Sequence, residues 1–260
     1  NAVATMLAKH MGAVTSGMRG VLNLADWTHA LIGTQAMSRL TSGLRKFSKN
    51  RIPQWNPYLP RAAGRIGSVL ENPEKSLKVV YFPSCISRTL GLARSSPELE
   101  SQNGRIDSLL RKAGYEVIYP SRLSGLCCGM AFASKGFTRQ GDAKAAELAA
   151  ALREAAREVR HPVLFDTSPC LYRIKEVLAP PTQLNLFGPV EFVQKFLKSR
   201  LHFRKIPGPV AVHATCSSRK MSQEERIQEV AESCAETVIL PETVGCCGFA
   251  GDRGFSIPEL

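Results

Sequence analysis

Seven of the chain's eight cysteines form an ordered series: Cys85, the doublet Cys127-Cys128, Cys170, Cys216 and the doublet Cys246-Cys247. Gly129 and Gly248 directly follow the doublets. Thiolates are soft metal ligands, and their spacing constrains the metal. One zinc ion takes four ligands spread tetrahedrally, which neighbouring residues supply awkwardly. A multi-iron cluster offers several corners, so adjacent thiolates can serve different irons. Glycine is expected after each doublet if backbone must approach such a cluster. Disulfides of a secreted protein are a competing reading. Disulfide-dense scaffolds are small, however, whereas 260 residues supply an ample core. A disulfide inside a doublet would also depart from the geometry that an S–S bond requires. Reduced thiols holding an iron–sulfur cluster are the better account. A structural zinc module that mediates subunit contact is the alternative, since four cysteines satisfy zinc's stoichiometry.

Each cysteine loop follows a strand-like run. Val79-Val80-Tyr81-Phe82 leads to Cys85, and Glu116-Val117-Ile118-Tyr119 precedes the first doublet. Pro162-Val163-Leu164-Phe165 leads into Asp166-Thr167-Ser168-Pro169-Cys170. Ser96-Pro97-Glu98 reads as the start of a helix that ends near Ala113-Gly114. Residues 141–159 are rich in Ala and Glu and predict a long helix; 171–178 and 190–200 predict two more. Strand and helix alternate, so the fold class is α/β with short parallel sheets. In such sheets ligand loops gather at the carboxyl ends of the strands. Cys85, Cys127, Cys128 and Cys170 are therefore expected at one sheet edge.

After Pro207-Gly208-Pro209 the pattern begins again. Val210 to Arg219 aligns with Val79 to Arg88, placing Cys216-x-x-Arg219 on Cys85-x-x-Arg88. Ser222 to Glu225 reads as a capping box for a helix reaching Cys234. Val238-Ile239-Leu240-Pro241 matches Val117 to Pro120, and the second doublet follows. The chain thus predicts a tandem duplication of three-layer units. Residues 1–75 form a basic helical arm and proline-rich linker, 76–205 the first repeat and 206–260 an incomplete second repeat. The second copy stops before a counterpart of Cys170. The chain also begins at Asn1 and ends on a helix-start sequence, so a fragment of a longer protein is expected. Cys234 fits neither cysteine pattern and reads as a buried structural residue. His213, Arg88 and Arg219 lie beside cysteine loops, where they are candidates to tune a cluster; hydrogen-bonded or solvated roles compete.

The net charge of +12 is unevenly placed. Residues 1–61 carry eight Lys and Arg against one acid, Asp26. Such an arm could meet nucleic acid, an anionic membrane surface or an acidic partner. No nucleic-acid motif accompanies it, so nucleic acid is not expected. No stretch is apolar for long enough to span a membrane, and nothing near Asn1 resembles a secretory signal. A cytoplasmic location is expected, with peripheral contact at the inner face of the cell membrane as one role for the arm. The arm itself reads as helix interrupted by glycines at 12, 17, 20, 33 and 43, followed by an irregular proline-rich connector over 51–60.

These cysteine loops resemble the "CCG" cysteine-rich domain family, in which a cysteine, a Cys-Cys-Gly and a further cysteine recur, usually in two copies. Relatives include the iron–sulfur subunit of glycolate oxidase, the L-lactate utilisation iron–sulfur protein and the B subunit of heterodisulfide reductase. Val244-Gly245-Cys246-Cys247-Gly248-Phe249-Ala250-Gly251-Asp252-Arg253-Gly254-Phe255 resembles the C-terminal part of FAD-linked dehydrogenases of D-lactate or D-2-hydroxyglutarate. The resemblance implies a [4Fe-4S]-type cluster on Cys85, Cys127, Cys128 and Cys170, and a second site using Cys216, Cys246 and Cys247. It implies a flavin domain and a ferredoxin-like cluster segment in the parent chain, and a quinone or other electron acceptor. No Gly-rich dinucleotide fingerprint lies in this chain, so FAD would bind elsewhere. Heterodisulfide reductase closes its motif with Cys-x-x-Cys, whereas Leu171-Tyr172-Arg173 follow Cys170 here. That departure argues against thiol or disulfide chemistry at the cluster.

Overall fold

A computed structural model describes residues 1–49, 55–64, 66, 77–157, 159–178 and 184–241. The second doublet, Cys246-Cys247, lies outside the described residues. Two helices open the chain, α1 (Ala2–Lys9) and α2 (Met11–Phe47), and β1 (Pro60–Ala62) follows. The first unit then runs β2 (Lys78–Phe82), α3 (Cys85–Thr89), β3 (Leu90–Ala93), α4 (Gln102–Lys112) and β4 (Glu116–Ile118). A 3-10 turn (Leu123–Gly125) leads to α5 (Met130–Ala133), α6 (Thr138–Ala155), β5 (Val163–Phe165) and α7 (Ser168–Val177). It closes with β6 (Leu186–Phe187), α8 (Pro189–Phe192) and a π-helical turn (Val193–Leu197). The last described elements are β7 (Ile206–Ala211), α9 (Cys216–Lys220), α10 (Glu224–Cys234) and β8 (Ala235–Ile239).

The central sheet has the order β4-β2-β5-β6, all parallel. Its alternation sorts side chains onto two cores. Val80, Phe82, Val163 and Phe165 pack with Leu148 and Leu152 of α6 and with Leu171 and Ile174 of α7. Val79, Tyr81 and Leu164 face the other way, onto Leu110 of α4 and Phe192 of α8. The result is the expected three-layer α/β arrangement. A buried Lys78–Glu116 ion pair at 3.2 Å holds the first residues of β2 and β4 together, where the two are register partners.

The second unit repeats the pairing. Val79 faces Val117 in the first unit, and Val210 faces Val238 in the second. The aligned residues therefore occupy the same register. Ser84 caps α3 by accepting from the Ser87 N–H, and its counterpart Thr215 caps α9 by accepting from the Ser218 N–H. Burial differs sharply. β2 is almost wholly buried, whereas β7 is almost wholly exposed, paired with β8 alone among the described strands.

Four local expectations are corrected. Of the five arm glycines only Gly33 breaks the helix, at φ 76 and ψ 172; the other four are accommodated, since a single glycine costs only about 1 kcal/mol against alanine. Pro60, the last residue of the expected connector, opens the strand Pro60–Ala62 against β3, while residues 51–54 lie outside the described residues. α4 begins after Ser101, not Ser96. The Ser101 hydroxyl accepts from the Gly104 N–H at 3.4 Å, and tertiary contacts hold this start: Asn103 donates to the Ser87 carbonyl and Gln102 to the Asp166 carbonyl. Finally, the capping box at Ser222 does not form. Ser222 takes φ 52, donates its N–H to the Arg219 carbonyl at the end of α9, and leaves Gln223 as the first flanking residue of α10.

Candidate metal centre

Three loops leave the carboxyl ends of β2, β4 and β5 and deliver four cysteines. Cys85 opens α3, the doublet precedes α5, and Cys170 lies in the first turn of α7. The sulfurs meet in two pairs: Cys85 and Cys127 at 3.9 Å, Cys128 and Cys170 at 3.1 Å. The peptide bond between Cys127 and Cys128 links the pairs. Cys127, Cys128 and Cys170 are buried and Cys85 is half-buried. Backbone donors support them, as the Gly129 N–H reaches the Cys127 sulfur at 3.4 Å.

Gly129 is required by the packing of the doublet loop itself. It has φ 83, and a Cβ there would lie 2.0 Å from the carbonyl oxygen of Gly141. The glycine lets α6 close on the doublet loop, so the tight approach is backbone to helix. Lys144 of α6 reinforces that contact by donating to the Gly125 carbonyl at 2.8 Å.

Arg88 lies inside the site. Its Nη2 donates to the Leu126 carbonyl at 2.5 Å and its Nε to the Ser84 carbonyl at 3.3 Å, while the guanidinium rests 5.6 Å from the Phe82 ring centroid. Its Nη1 is buried without a hydrogen-bond partner among the described residues. Burial pushes the guanidinium below its ordinary value, and Cys85, Cys127 and Asp166 pull it back. Asp166 was missed as a site residue, although an acid between a strand end and a cysteine loop was the available signal. Its Oδ1 accepts from the Ser84 N–H at 2.9 Å, tying the first and third cysteine loops together; burial raises its carboxyl.

The thiols are pushed toward their neutral forms. The hydrogen bond with Cys127 and burial raise Cys85. The hydrogen bond with Cys128 and burial push Cys127 up to about 11. At Cys128 the bond with Cys127 lowers the value, but the bond with Cys170 and burial outweigh it. Bound metal reverses such a balance, because its charge favours thiolate.

These residues fit an iron–sulfur group. Buried Arg88 offers a positive charge beside Cys85, Cys127 and Cys170, and a donor with no partner among the described residues, which suits an anionic thiolate-held cluster. Among the described residues, no three His, Cys, Asp or Glu side chains gather closely enough to hold one metal ion. The four thiols instead run in series, Cys85 to Cys127, Cys127 to Cys128 and Cys128 to Cys170, an extended set that several iron corners can use.

The arm also reaches the site. Ala8 and Met11 pack against Cys127 and Phe132. Thr15, Ser16 and Arg19 line a cavity of about 250 Å³ together with Cys85, Arg88 and Ser124. These arm contacts were not legible in the sequence, which offered no pairing signal for a helix so remote in the chain. Cys216 is exposed on α9, close to the first site: Ser168 hydrogen-bonds Thr215 at 3.0 Å and Ser217 at 2.7 Å, on either side of it. His213 and Arg219 are both exposed. Cys234 is half-buried at the end of α10.

Fold and site together define a duplicated cysteine-rich α/β protein with thiol loops at the strand ends. The CCG cysteine-rich domain family matches residues 79–175 and 210–258, more than half of the chain, and the chain belongs to that family. Membership points to an iron–sulfur electron-transfer role of the kind found in oxidoreductase subunits. Neither the curated proteins nor the solved structures contain a match.

Proposed function

We propose that this chain is the iron–sulfur relay of a FAD-linked oxidoreductase that oxidises a D-2-hydroxy acid of the D-lactate or D-2-hydroxyglutarate class. The observation that carries the relay is the gathering of Cys85, Cys127, Cys128 and Cys170 around buried Arg88. The hydroxy-acid class is supported by the likeness of Val244 to Phe255 to that dehydrogenase group. A [4Fe-4S]-type cluster held by the four thiols would supply one-electron storage. The chain's own residues perform the remaining work. Arg88 offsets the negative charge of the ligand set, Asp166 fixes the Cys85 loop through Ser84, and the arm's Ala8 and Met11 shield Cys127. Cys216, with Cys246 and Cys247, forms the ligand set of a second site. The flavin domain, a ferredoxin-like segment and a quinone or other acceptor complete the parent assembly.

The test is anaerobic purification followed by iron, sulfide and zinc analysis with visible and EPR spectra. Several irons and sulfides per chain, with broad absorbance near about 400 nm, are expected of thiolate-held clusters. Colourless protein with stoichiometric zinc would refute the relay. The chain alone should not oxidise D-lactate or D-2-hydroxyglutarate with an artificial dye. Turnover by the isolated chain would overturn the assignment of hydride chemistry to a separate flavin domain.

A further inference from the structure

The outward side of α2 is apolar, and nothing among the described residues covers it. Between Arg19 and Arg39 the only Asp, Glu, Lys or Arg is Asp26. Asp26 is turned toward the body, where Arg94 grips it through Nη2–Oδ2 at 2.8 Å and Nε–Oδ1 at 2.9 Å. Away from that contact Val21, Leu24, Trp27 and Leu31 are 67%, 61%, 61% and 65% exposed. Beyond the break at Gly33 a second stripe follows, with Leu40, Leu44 and Phe47 at 49%, 46% and 90% exposure. Their spacing puts them on one helical face, while Met37 and Thr41 turn inward and are buried. Exposed Arg39 and Lys46 flank this stripe, and exposed Lys49 follows it.

An exposed apolar area of this extent marks an interaction surface. Its chemistry selects the occupant. The arm's single acid is already neutralised by Arg94, so every remaining Asp, Glu, Lys or Arg of residues 1–49 is basic. Apolar stripes edged by Lys and Arg are the pattern of helices lying in the plane of an anionic lipid surface. The two stripes sit on either side of a backbone break. A fluid bilayer surface conforms to both, whereas a rigid protein partner would need a groove matched to the kink. No helix among the described residues is long and apolar enough to cross a membrane, so the contact is one of lying on the surface.

We propose that α2 docks the chain onto an anionic lipid surface through Val21, Leu24, Trp27, Leu31, Leu40, Leu44 and Phe47, with Arg39 and Lys46 reading the lipid charge. The contact is independent of the cysteine site and of the relay.

Co-sedimentation of the full chain with phosphatidylcholine vesicles, with and without phosphatidylglycerol, tests it. Binding should be about ten-fold tighter to the phosphatidylglycerol vesicles and should weaken in high salt. Combined Leu40→Ser, Leu44→Ser and Phe47→Ser substitutions should cost at least about ten-fold, because exposed apolar contact drives insertion. Combined Arg39→Glu and Lys46→Glu should abolish the preference for phosphatidylglycerol. Circular dichroism of both variants should match the parent, since every substituted position is exposed. Trp27 emission should shift to the blue and be quenched by brominated lipid; Trp55 is buried and will not report. Equal binding to both vesicle types, or undiminished binding of the serine variant, overturns the proposal. A concentration-dependent dimer without vesicle binding, lost in the serine variant, would assign the face to a second copy and overturn it equally.

Discussion

Gly129 and Gly136 share a backbone conformation, φ 83 in both, but differ in surroundings. An alanine Cβ at Gly136 meets nothing within 4 Å, whereas at Gly129 it meets the Gly141 carbonyl oxygen at 2.0 Å and its carbon at 2.7 Å. Both substitutions place a side chain in the left-handed region, at about 1–2 kcal/mol. Alanine also restricts the unfolded chain, which offsets about 0.4–1 kcal/mol of that. Gly136→Ala should therefore cost about 1 kcal/mol. At Gly129 the obstruction is backbone, which cannot swing aside, so α6 must move off the doublet loop. Forced overpacking of this kind adds about 3 kcal/mol, giving a total near 4. Moving α6 also pulls Lys144 from the Gly125 carbonyl and Asp142 from Arg173. The assay is urea unfolding of metal-free, reduced protein, followed by iron stoichiometry after anaerobic reconstitution. Gly129→Ala should unfold at distinctly lower urea and lose iron, with Gly136→Ala close to the parent on both counts. Equal destabilisation by the two substitutions would refute the claim that α6 closes on the doublet through this glycine.

With iron and sulfide loaded, Arg88→Met should lower the midpoint potential. A unit charge at about 8 Å and an effective dielectric near 20 is worth about 2 kcal/mol, close to 90 mV. Arg88→Lys keeps the charge and should shift the potential by less than half as much; an EPR-monitored titration that finds the methionine variant unmoved would count against the charge role. In metal-free protein at pH 8 Cys127, with its thiol at about 11, should react with iodoacetamide far more slowly than exposed Cys216. Because the raised value keeps the thiol protonated, Cys127 labelling should climb as pH rises toward that value, and mass spectrometry that finds it as fast as Cys216 at pH 8 would contradict the burial described. Ser101→Ala should cost about 1 kcal/mol by removing the cap of α4, whereas Ser222→Ala should change stability by less than about 0.5 kcal/mol. A comparable loss at Ser222, measured by thermal melting, would restore the capping box that the structure lacks.

Much of the fold was legible because the signals were local. Val79 to Phe82, Val117 to Ile118 and Val163 to Phe165 announce buried parallel strands by apolar runs of strand length. The alignment of Val210 with Val79 and Val238 with Val117 fixed a pairing register that the tertiary structure reproduces. Helix starts were less legible, since several serines compete as caps. Ser101 prevails over Ser96 because Asn103 and Gln102 then reach the Ser87 and Asp166 carbonyls, contacts that no local window contains. Ser222 does not cap α10 because its backbone is already committed to closing α9.

The sequence by itself determined the series of cysteines, the order of strands and cysteine loops along the chain, and the duplication. Those properties reside in residue types and in spacings along one chain. Only the tertiary structure decided which thiols pair with which, that Gly129 answers to α6, and that Arg88 is buried while its counterpart Arg219 is exposed. It also decided that the basic arm folds back, with Ala8 and Met11 against the cysteine site and an apolar face turned outward. The physical reason is common to all of these. Burial, charge compensation and close approach depend on what packs across the fold, and residues distant in sequence supply those neighbours.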